Sequence, residues 1–450
     1  MSHLSVAKFG GTSVANYPAM QSCANIVIAD PNTRVVVLSA SAGVTNLLVA
    51  LANGCEEPER NKLLNEVRQI QENILTELKD DSRVRPKIEA LLANITSLAE
   101  AANLATSLAL TDELISHGEM MSSLIFVEVL RELQIEATWL DVRTIVATNS
   151  HFGKAAPNDE QTRQNCDNLL KPLIERGELV ITQGFIGRDE QGKTTTLGRG
   201  GSDYSAALLA EVLNAQDVLI WTDVAGIYTT DPRIVPNAQR IDTMSFSEAA
   251  EMATFGAKVL HPATLLPAVR SNIPVYVGSS KAPQEGGTWV TRNPQPRPTF
   301  RAIALRRDQT LLTLSSLNML YAQGFLANIF TILAKHKISV DTITTSEVSV
   351  ALTLDKTGSA SSGKSLLSQE LIEELSQFCT VKVDTGLSLV ALIGNELHTA
   401  SGVAKRIFET LDAYNIRMIS YGASTNNICL LADSDKADDI VRSLHRSLFE

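Results

Sequence analysis

Lys8-Phe9-Gly10-Gly11-Thr12-Ser13-Val14 follows directly on a short apolar run and gathers a lysine, two glycines and two hydroxyls into six positions. Glycines let backbone N–H groups come close to phosphate oxygens and the lysine adds a full positive charge, so this segment is suited to hold an anion. It is not a Walker A loop, because the lysine precedes the glycines. The segment also reads as a strand ending in a tight Gly-Gly turn before a capped helix. A second cluster, Thr194 to Ser205, is a Gly-rich turn opening onto the apolar helix Ala206 to Leu213. There a helix N-terminus can accept an anion, Arg199 can clamp a carboxylate with two parallel hydrogen bonds, and Asp203 can orient a cationic partner. Ser202 or Asp203 can equally serve as the N-cap. Lys258, two residues after Gly256, is a second lysine, with a solvated helix end as its bland reading. Cations, glycines and hydroxyls together suit phosphoryl transfer, which needs positioning and charge neutralisation more than covalent chemistry.

These segments resemble the aspartokinases, the branch of the amino acid kinase family that phosphorylates the side-chain carboxylate of aspartate. The heptapeptide is similar to that family's opening signature, and Gly198-Arg199-Gly200-Gly201-Ser202-Asp203-Tyr204-Ser205-Ala206 to the loop where amino acid and phosphates meet. Trp221-Thr222-Asp223-Val224-Ala225-Gly226-Ile227-Tyr228-Thr229-Thr230-Asp231-Pro232-Arg233 resembles its nucleotide stretch, and Phe255 to Pro262 the segment bearing the lysine that faces the phosphates. The resemblance implies ATP at Lys8, Gly10, Gly11, Thr222, Asp223, Tyr228, Arg233 and Lys258. It implies aspartate at Ser39, Thr45, Glu119, Arg199, Gly200 and Ser202, with Lys8, Asp203 and Lys258 as the catalytic residues. Ser39 and Thr45 are also ordinary turn formers. Glu119 on an otherwise apolar helix wants a partner, which the α-ammonium of an amino acid would supply. Mg²⁺ is implied by ATP itself and would bind mainly through its phosphates, so no protein metal ligands are assigned. His117 has no matching Cys or Asp pair.

Lys+Arg of 39 against Asp+Glu of 50 gives 39 − 50 = −11, which argues against nucleic acid or anionic membrane as a partner. Five cysteines lie far apart without a CxxC pair, which suits reduced thiols packed in a cytosolic protein. With no basic-then-apolar leader and no run of about 18 apolar residues, neither secretion nor membrane insertion is expected, and the location implied is cytoplasmic.

What must position these residues is a largely parallel sheet. Leu4 to Ala7, Val35 to Leu38, Leu179 to Thr182 and Val218 to Trp221 are short apolar runs, each ending in small or polar residues and separated by helical stretches. Ligands in such folds bind at the carboxyl ends of the strands, where these turns fall. The stretch from 55 to 110 changes to helical spacing at Leu63, Val67, Ile70, Ile74 and Leu78 and reads as a helical excursion, a lid or an interdomain cover. Gly286 to Pro298 reads as the way out of the catalytic domain.

Beyond it the chain repeats itself when slid by 78 residues: Gly324 falls on Gly402, Ile329 on Ile407, Phe330 on Phe408, Leu333 on Leu411, Ile338 on Ile416, Ser346 on Ser424 and Leu352 on Leu430. Each copy reads as strand, glycine, amphipathic helix, strand and hairpin partner, and resembles an ACT domain. The fold class expected is thus α/β, an amino acid kinase-like, mostly parallel sheet sandwiched by helices, followed by two α+β, ferredoxin-like ACT units. Boundaries are placed at 1–292 for the catalytic domain, 293–306 for a linker and shared strand, 307–385 for the first unit and 386–450 for the second.

The resemblance implies ATP-dependent conversion of L-aspartate to 4-phospho-L-aspartate, the entry to lysine, threonine, methionine and diaminopimelate. It also implies a homodimer, or a dimer of dimers, formed through the ACT units. Feedback by L-lysine is expected at the first unit. The loop with Met319, Gly324, Phe325 and Leu326 opens a helix that can hold a carboxylate, and the facing Ser339, Val340, Asp341, Thr345, Ser346 and Glu347 bring two acids that suit a ligand with two ammonium groups. The acids also read as surface groups at strand ends, and the second unit, which lacks them, is expected to be structural. The rivals are a kinase of glutamate, N-acetylglutamate or UMP, and a non-catalytic amino-acid sensor. Those kinases share the sheet and glycine turns but lack this set of motifs. Arg199→Ala should chiefly damage aspartate use, raising its KM about tenfold or more while ATP saturation changes less, because alanine leaves a carboxylate unpaired. Steady-state kinetics with each substrate varied in turn decides this, and a loss confined to ATP would move Arg199 to the nucleotide side.

Overall fold

A computed structural model describes residues 3–198, 200–256, 260, 265–319, 323–355 and 367–450. The described residues form two compact units, one of 3–227, 240–249, 260 and 265–295, the other of 228–239, 250–256 and the rest from 296 to 450.

The first unit is built on eight strands in the order Ala137–Trp139, Leu179–Gln183, Thr33–Leu38, Ser5–Phe9, Asp217–Thr222, Val275–Ser279, Gly287–Thr291, Thr243–Ser245. All neighbours run parallel except Val275–Ser279 and Gly287–Thr291. Such a sheet must be covered on both faces. Ala7, Phe9, Val36 and Leu38 enter one core with residues of the helices Tyr17–Ala29 and Leu108–Glu132. The alternate residues Val6, Val35 and Val37 are equally buried, and the helix Gly201–Leu213 packs on the same strands. The expected excursion consists of the helices Glu57–Leu75 and Arg85–Leu104, whose Leu63, Val67, Ile74, Ile88 and Ile95 join the core of Val44, Leu48 and Leu51. Gly287–Thr291, within the stretch expected to lead out of the unit, is a paired strand, and a Cβ at Gly287 would meet Val277 O. Among the described residues no helix is long and apolar enough to cross a membrane. All five cysteines are free thiols, and burial pushes those of Cys166 and Cys429 up to about 12.

In the second unit six antiparallel strands are ordered Ser339–Thr345, Ser349–Asp355, Phe300–Ser315, Thr380–Gly394, Asn427–Asp433, Ile416–Tyr421. The repeat is plain in the structure. Gly324 and Gly402 stand at φ +84 and +81 before the helices Phe325–Lys335 and Val403–Thr410, Ile329 and Ile407 are fully buried, and Leu352 and Leu430 likewise. The two copies share their central strands. Thr310 to Ser315 pairs with Ser349–Asp355 in the first copy, while Phe300 to Arg306 pairs with Leu389 to Gly394 in the second. The register shifts between these halves, near Asp308 at φ +57 and Gly386 at φ +73.

Two glycines on this shared strand separate two kinds of constraint. A Cβ at Gly394 would collide with Thr299 O, whereas at Gly386 it would meet open space in a left-handed conformation. Gly386→Ala should therefore cost about 1 kcal/mol, and Gly394→Ala about 3 kcal/mol or more, since backbone must move. Urea unfolding midpoints of the two variants give the order directly.

Candidate active site

At the carboxyl ends of the central strands lies a cavity of ≈ 580 Å³ lined by residues from four segments, 8–12, 39–46, 198–203 and 222–223, together with Glu119 and Phe185. The strand Ser5–Phe9 delivers Lys8 to it, 9 % exposed, with Nζ 2.6 Å from Asp203 on the first turn of Gly201–Leu213. That contact holds the ammonium in one place. Gly11 is required by a close approach, since a Cβ there would lie 2.8 Å from Ala40 O.

Among the described residues three helices begin at this cavity without a side-chain cap. They are the short 3₁₀ turn Gly11–Val14 after Gly10, the helix Val44–Ala52 after Gly43 at φ +89, and Gly201–Leu213 after Gly200 at φ +74. Uncapped first-turn N–H groups are donors in search of an acceptor, and their summed dipoles favour an anion.

Glu119 lines the same cavity at 3 % exposure. Its Oε1 accepts from Ala40 N–H at 3.2 Å, its Oε2 has no hydrogen-bond partner, and burial pushes the carboxyl up to about 8. A buried carboxyl with one unused oxygen is primed for a cationic group, whose arrival would favour ionisation. Ser39 and Thr45 reach the lining, and Ser122 Oγ donates to Ser39 O at 2.8 Å. Behind the glycine loop, fully buried Asp112 accepts from Gly153 N–H, Thr196 N–H and Thr196 Oγ1, so its desolvated charge fixes the strand Thr194–Thr196 that leads into Gly198.

The structure thus brings together Lys8, Gly10, Gly11, Ser39, Thr45, Glu119, Gly200, Ser202, Asp203, Thr222 and Asp223. Tyr228 and Arg233 belong to the second unit, where the Arg233 guanidinium is held by Asp231 at 2.6 Å. Arg199 and Lys258 lie outside the described residues. At the expected effector site, Phe325 opens the helix behind Gly324, Met319 ends a 3₁₀ turn, and Leu326 is exposed. Ser339, Val340, Asp341 and Thr345 lie on one strand, and Ser346 and Glu347 turn from it into the next. The Asp341 carboxylate lies 2.9 Å from Arg306.

Ser41 and Phe185 are among the lining residues that the sequence did not single out. Ser41 Oγ is buried without a hydrogen-bond partner, and Phe185 sits at φ +73 against Gly201, whose Cβ would lie 2.7 Å from its ring. Ser41 stands between Ser39 and Thr45, both expected at the site, whereas nothing in a phenylalanine's identity announces a left-handed backbone.

A model of the amino acid kinase family matches residues 3–279, and one of the ACT domain matches 390–448. The chain is 62% identical over 450 residues, the full length of both proteins, to the lysine-sensitive aspartokinase 3 of Escherichia coli (strain K12). At 61% identity and with both chains wholly covered, it matches two crystal structures of E. coli aspartokinase III. One, in complex with aspartate and ADP (R-state), gives a TM-score of 0.89; the other, with lysine and aspartate (T-state), gives 0.88. A chain with this cavity, these motifs and this full-length likeness belongs to the aspartokinases, within the amino acid kinase family.

Proposed function

We propose that the enzyme transfers the γ-phosphoryl group of ATP to the side-chain carboxylate of L-aspartate, giving 4-phospho-L-aspartate and ADP, and that L-lysine inhibits it. The convergence of uncapped helix N-termini, Lys8 and the half-satisfied Glu119 on one cavity carries this reading. N–H donors and Lys8 suit the phosphates, and Glu119 suits the ammonium of the amino acid. The aspartate carboxylate is ionised at neutral pH, so it attacks phosphorus without a general base, and catalysis is left to alignment and charge.

Among the described lining residues Lys8 is the one cation, against Glu119, Asp203 and Asp223. A triphosphate needs more positive charge than that. We therefore assign Arg199 to the aspartate carboxylates and Lys258 to the transferring phosphoryl. Among the described residues no three His, Cys, Asp or Glu side chains gather into a cage. Mg²⁺ would arrive on the phosphates, keeping several waters, as is usual for this small and strongly hydrated ion, and would neutralise their charge. We place the nucleotide also at Thr222, Asp223, Tyr228 and Arg233.

For lysine we assign the first repeat, with the uncapped N-terminus of Phe325–Lys335 facing the carboxylate and Glu347 and Asp341 the ammonium groups. Asp341 is shared with Arg306, so lysine would bind best in a state where that ion pair has loosened. Effector binding then favours the inactive arrangement in proportion to its preference for it.

Coupled ADP release, with hydroxylamine trapping of the acyl phosphate, should proceed with aspartate and not with glutamate or N-acetylglutamate. Turnover of glutamate alone would overturn the assignment, and no turnover despite amino acid binding would make the protein a sensor.

Glu119 adds a pH dependence. Its ligand-free carboxyl, at about 8, is mostly protonated at neutral pH, and pairing with an ammonium requires the carboxylate. Aspartate affinity should therefore rise with pH, by up to about tenfold per unit, and level off above about pH 8. Calorimetric titration in the presence of ADP should show this slope in wild type and a flat, weaker profile in Glu119→Gln. A flat wild-type profile would contradict the role.

Titrated separately at subsaturating aspartate, lysine should inhibit where threonine and methionine do not. Asp341→Asn should raise the half-inhibitory lysine concentration about tenfold, an effect of ~1.4 kcal/mol. Inhibition by threonine alone, or undiminished lysine inhibition in the variant, would remove lysine from this site.

A further inference from the structure

The second unit contains one histidine with no exposure at all, His445 on the helix Ala437–Phe449. Its ring stacks on Phe449 with centroids 5.0 Å apart, Nδ1 lies 3.4 Å from Glu450 Oε1, and Nε2 is 2.9 Å from Thr229 Oγ1. Thr229 is itself buried and engaged on every polar group. Its N–H donates to Gln239 O at 2.8 Å, its carbonyl accepts from Ile303 N–H at 2.7 Å, and its hydroxyl oxygen accepts from Gln239 N–H at 3.0 Å. The tautomer with the proton on Nδ1, on the side of Glu450, leaves Nε2 to accept from the threonine hydroxyl, which is then the one hydrogen bond of the ring, since Nδ1 has no hydrogen-bond partner.

This contact closes a loop. Thr229 and Gln239 pair at the two ends of 229–239, and between them Val235 enters the apolar core formed with Ile440, Val441 and Leu444. Arg442, one turn before His445 on the same helix, donates from Nε to Ile234 O at 3.2 Å. The loop carries Tyr228 beside the anchor and Arg233 at its tip, the latter braced by Asp231, which also accepts from Arg233 N–H at 2.9 Å. An apolar side chain would fill that core without the cost of desolvating an imidazole, so the retained polarity marks a fixed geometry.

We propose that His445 and Thr229 are a positioning pair through which the C-terminal helix of the second repeat sets the 228–233 loop, and with it the affinity for ATP. The inference rests on the reading of Tyr228 and Arg233 as nucleotide contacts. It gives the second repeat, which lacks the acids of the first, a task of its own.

The test is steady-state kinetics in the full-length enzyme, with ATP and aspartate each varied at saturation of the other, together with thermal denaturation. Thr229→Val, isosteric and without the hydroxyl, and His445→Leu should each raise the KM for ATP about tenfold, the effect of leaving one buried hydrogen-bonding group unpaired. Both kcat and the KM for aspartate should stay within about twofold. Thr229→Ser and His445→Gln, which keep a donor and an acceptor in reach, should restore near-normal ATP saturation, and the double variant should be no worse than either single one. Arg233→Ala is the control. If it weakens ATP while Thr229→Val does not, the pair does not position the loop, and an equal loss for both substrates with a lowered Tm would make the contact merely structural. If Arg233→Ala leaves ATP saturation unchanged, the nucleotide reading of the loop fails and the inference falls with it. Should His445→Leu not fold, Thr229→Val and its serine rescue decide alone.

Discussion

The first turn of a helix holds N–H groups that its own backbone cannot satisfy, and the use of that constraint organises both halves of this protein. Among the described residues four helices start on a glycine in the left-handed conformation with no side chain closing the turn: Gly43 and Gly200 at the cavity, Gly324 and Gly402 at matching points of the two repeats. Elsewhere Asn16, Ser107, Asn158 and Ser368 supply ordinary caps. With glycine in that place, forgoing such a cap costs only roughly a few tenths of a kcal/mol. At the cavity an anion recovers that loss by accepting the open N–H groups, so the helix starts are at once the weak points of the unbound fold and its recognition elements.

Charge follows the same logic. Lys8 is held at 2.6 Å by Asp203, an arrangement that spends the attraction of a carboxylate to keep a long, flexible side chain in a single pose. Its cost is that the pair carries no net charge, and Glu119, with burial keeping its proton on until about pH 8, adds none either. The cavity therefore does not attract a polyanion by field alone, in a chain whose formal net charge is −11. Positive charge has to come with the substrate's own ion and from residues beyond the described lining, which is the electrostatic ground for proposing Arg199 and Lys258.

Much of the cavity could be read in the sequence because its anion-binding parts are local. Lysine, glycines and hydroxyls within a few positions of a strand end imply a site wherever that strand lies, and the repeat at 78 residues is recorded by glycines and core aliphatics that occupy equivalent places. What could not be read depends on pairing across long stretches of chain. The ion pairs Lys8–Asp203 and Arg306–Asp341 join residues that no spacing rule relates, and the second of them changes what an acid at 341 can offer a ligand. Phe185 is a related case, since its positive φ goes with the close approach of Gly184 to Ser202 and of Gly201 to its own ring, residues distant in the chain. The strand Gly287–Thr291 was concealed by composition: a Gly-Pro-rich stretch signals a turn, yet a glycine is what allows the backbone to lie against Val277 O.

The repeats are not two beads on a string, and that limits how a ligand at one can go unnoticed by the other. The strands Phe300–Ser315 and Thr380–Gly394 each serve both copies, with a register offset between the two halves in the region of Asp308 and Gly386. A strand in the middle of a sheet cannot slide alone, because every ladder bond on either side would have to break with it. Arg306, which pairs with Asp341 of the first copy, stands on the half of its strand that belongs to the second, where it faces Leu389. Loosening that ion pair thus releases a residue of the second copy. Ile303, on the same half-strand, donates to Thr229, and the helix packed behind contributes His445 to that same threonine. A ligand's preference for one arrangement of the first copy is in this way a preference for one arrangement of a continuous sheet, and linkage then requires whatever that sheet supports to feel it equally.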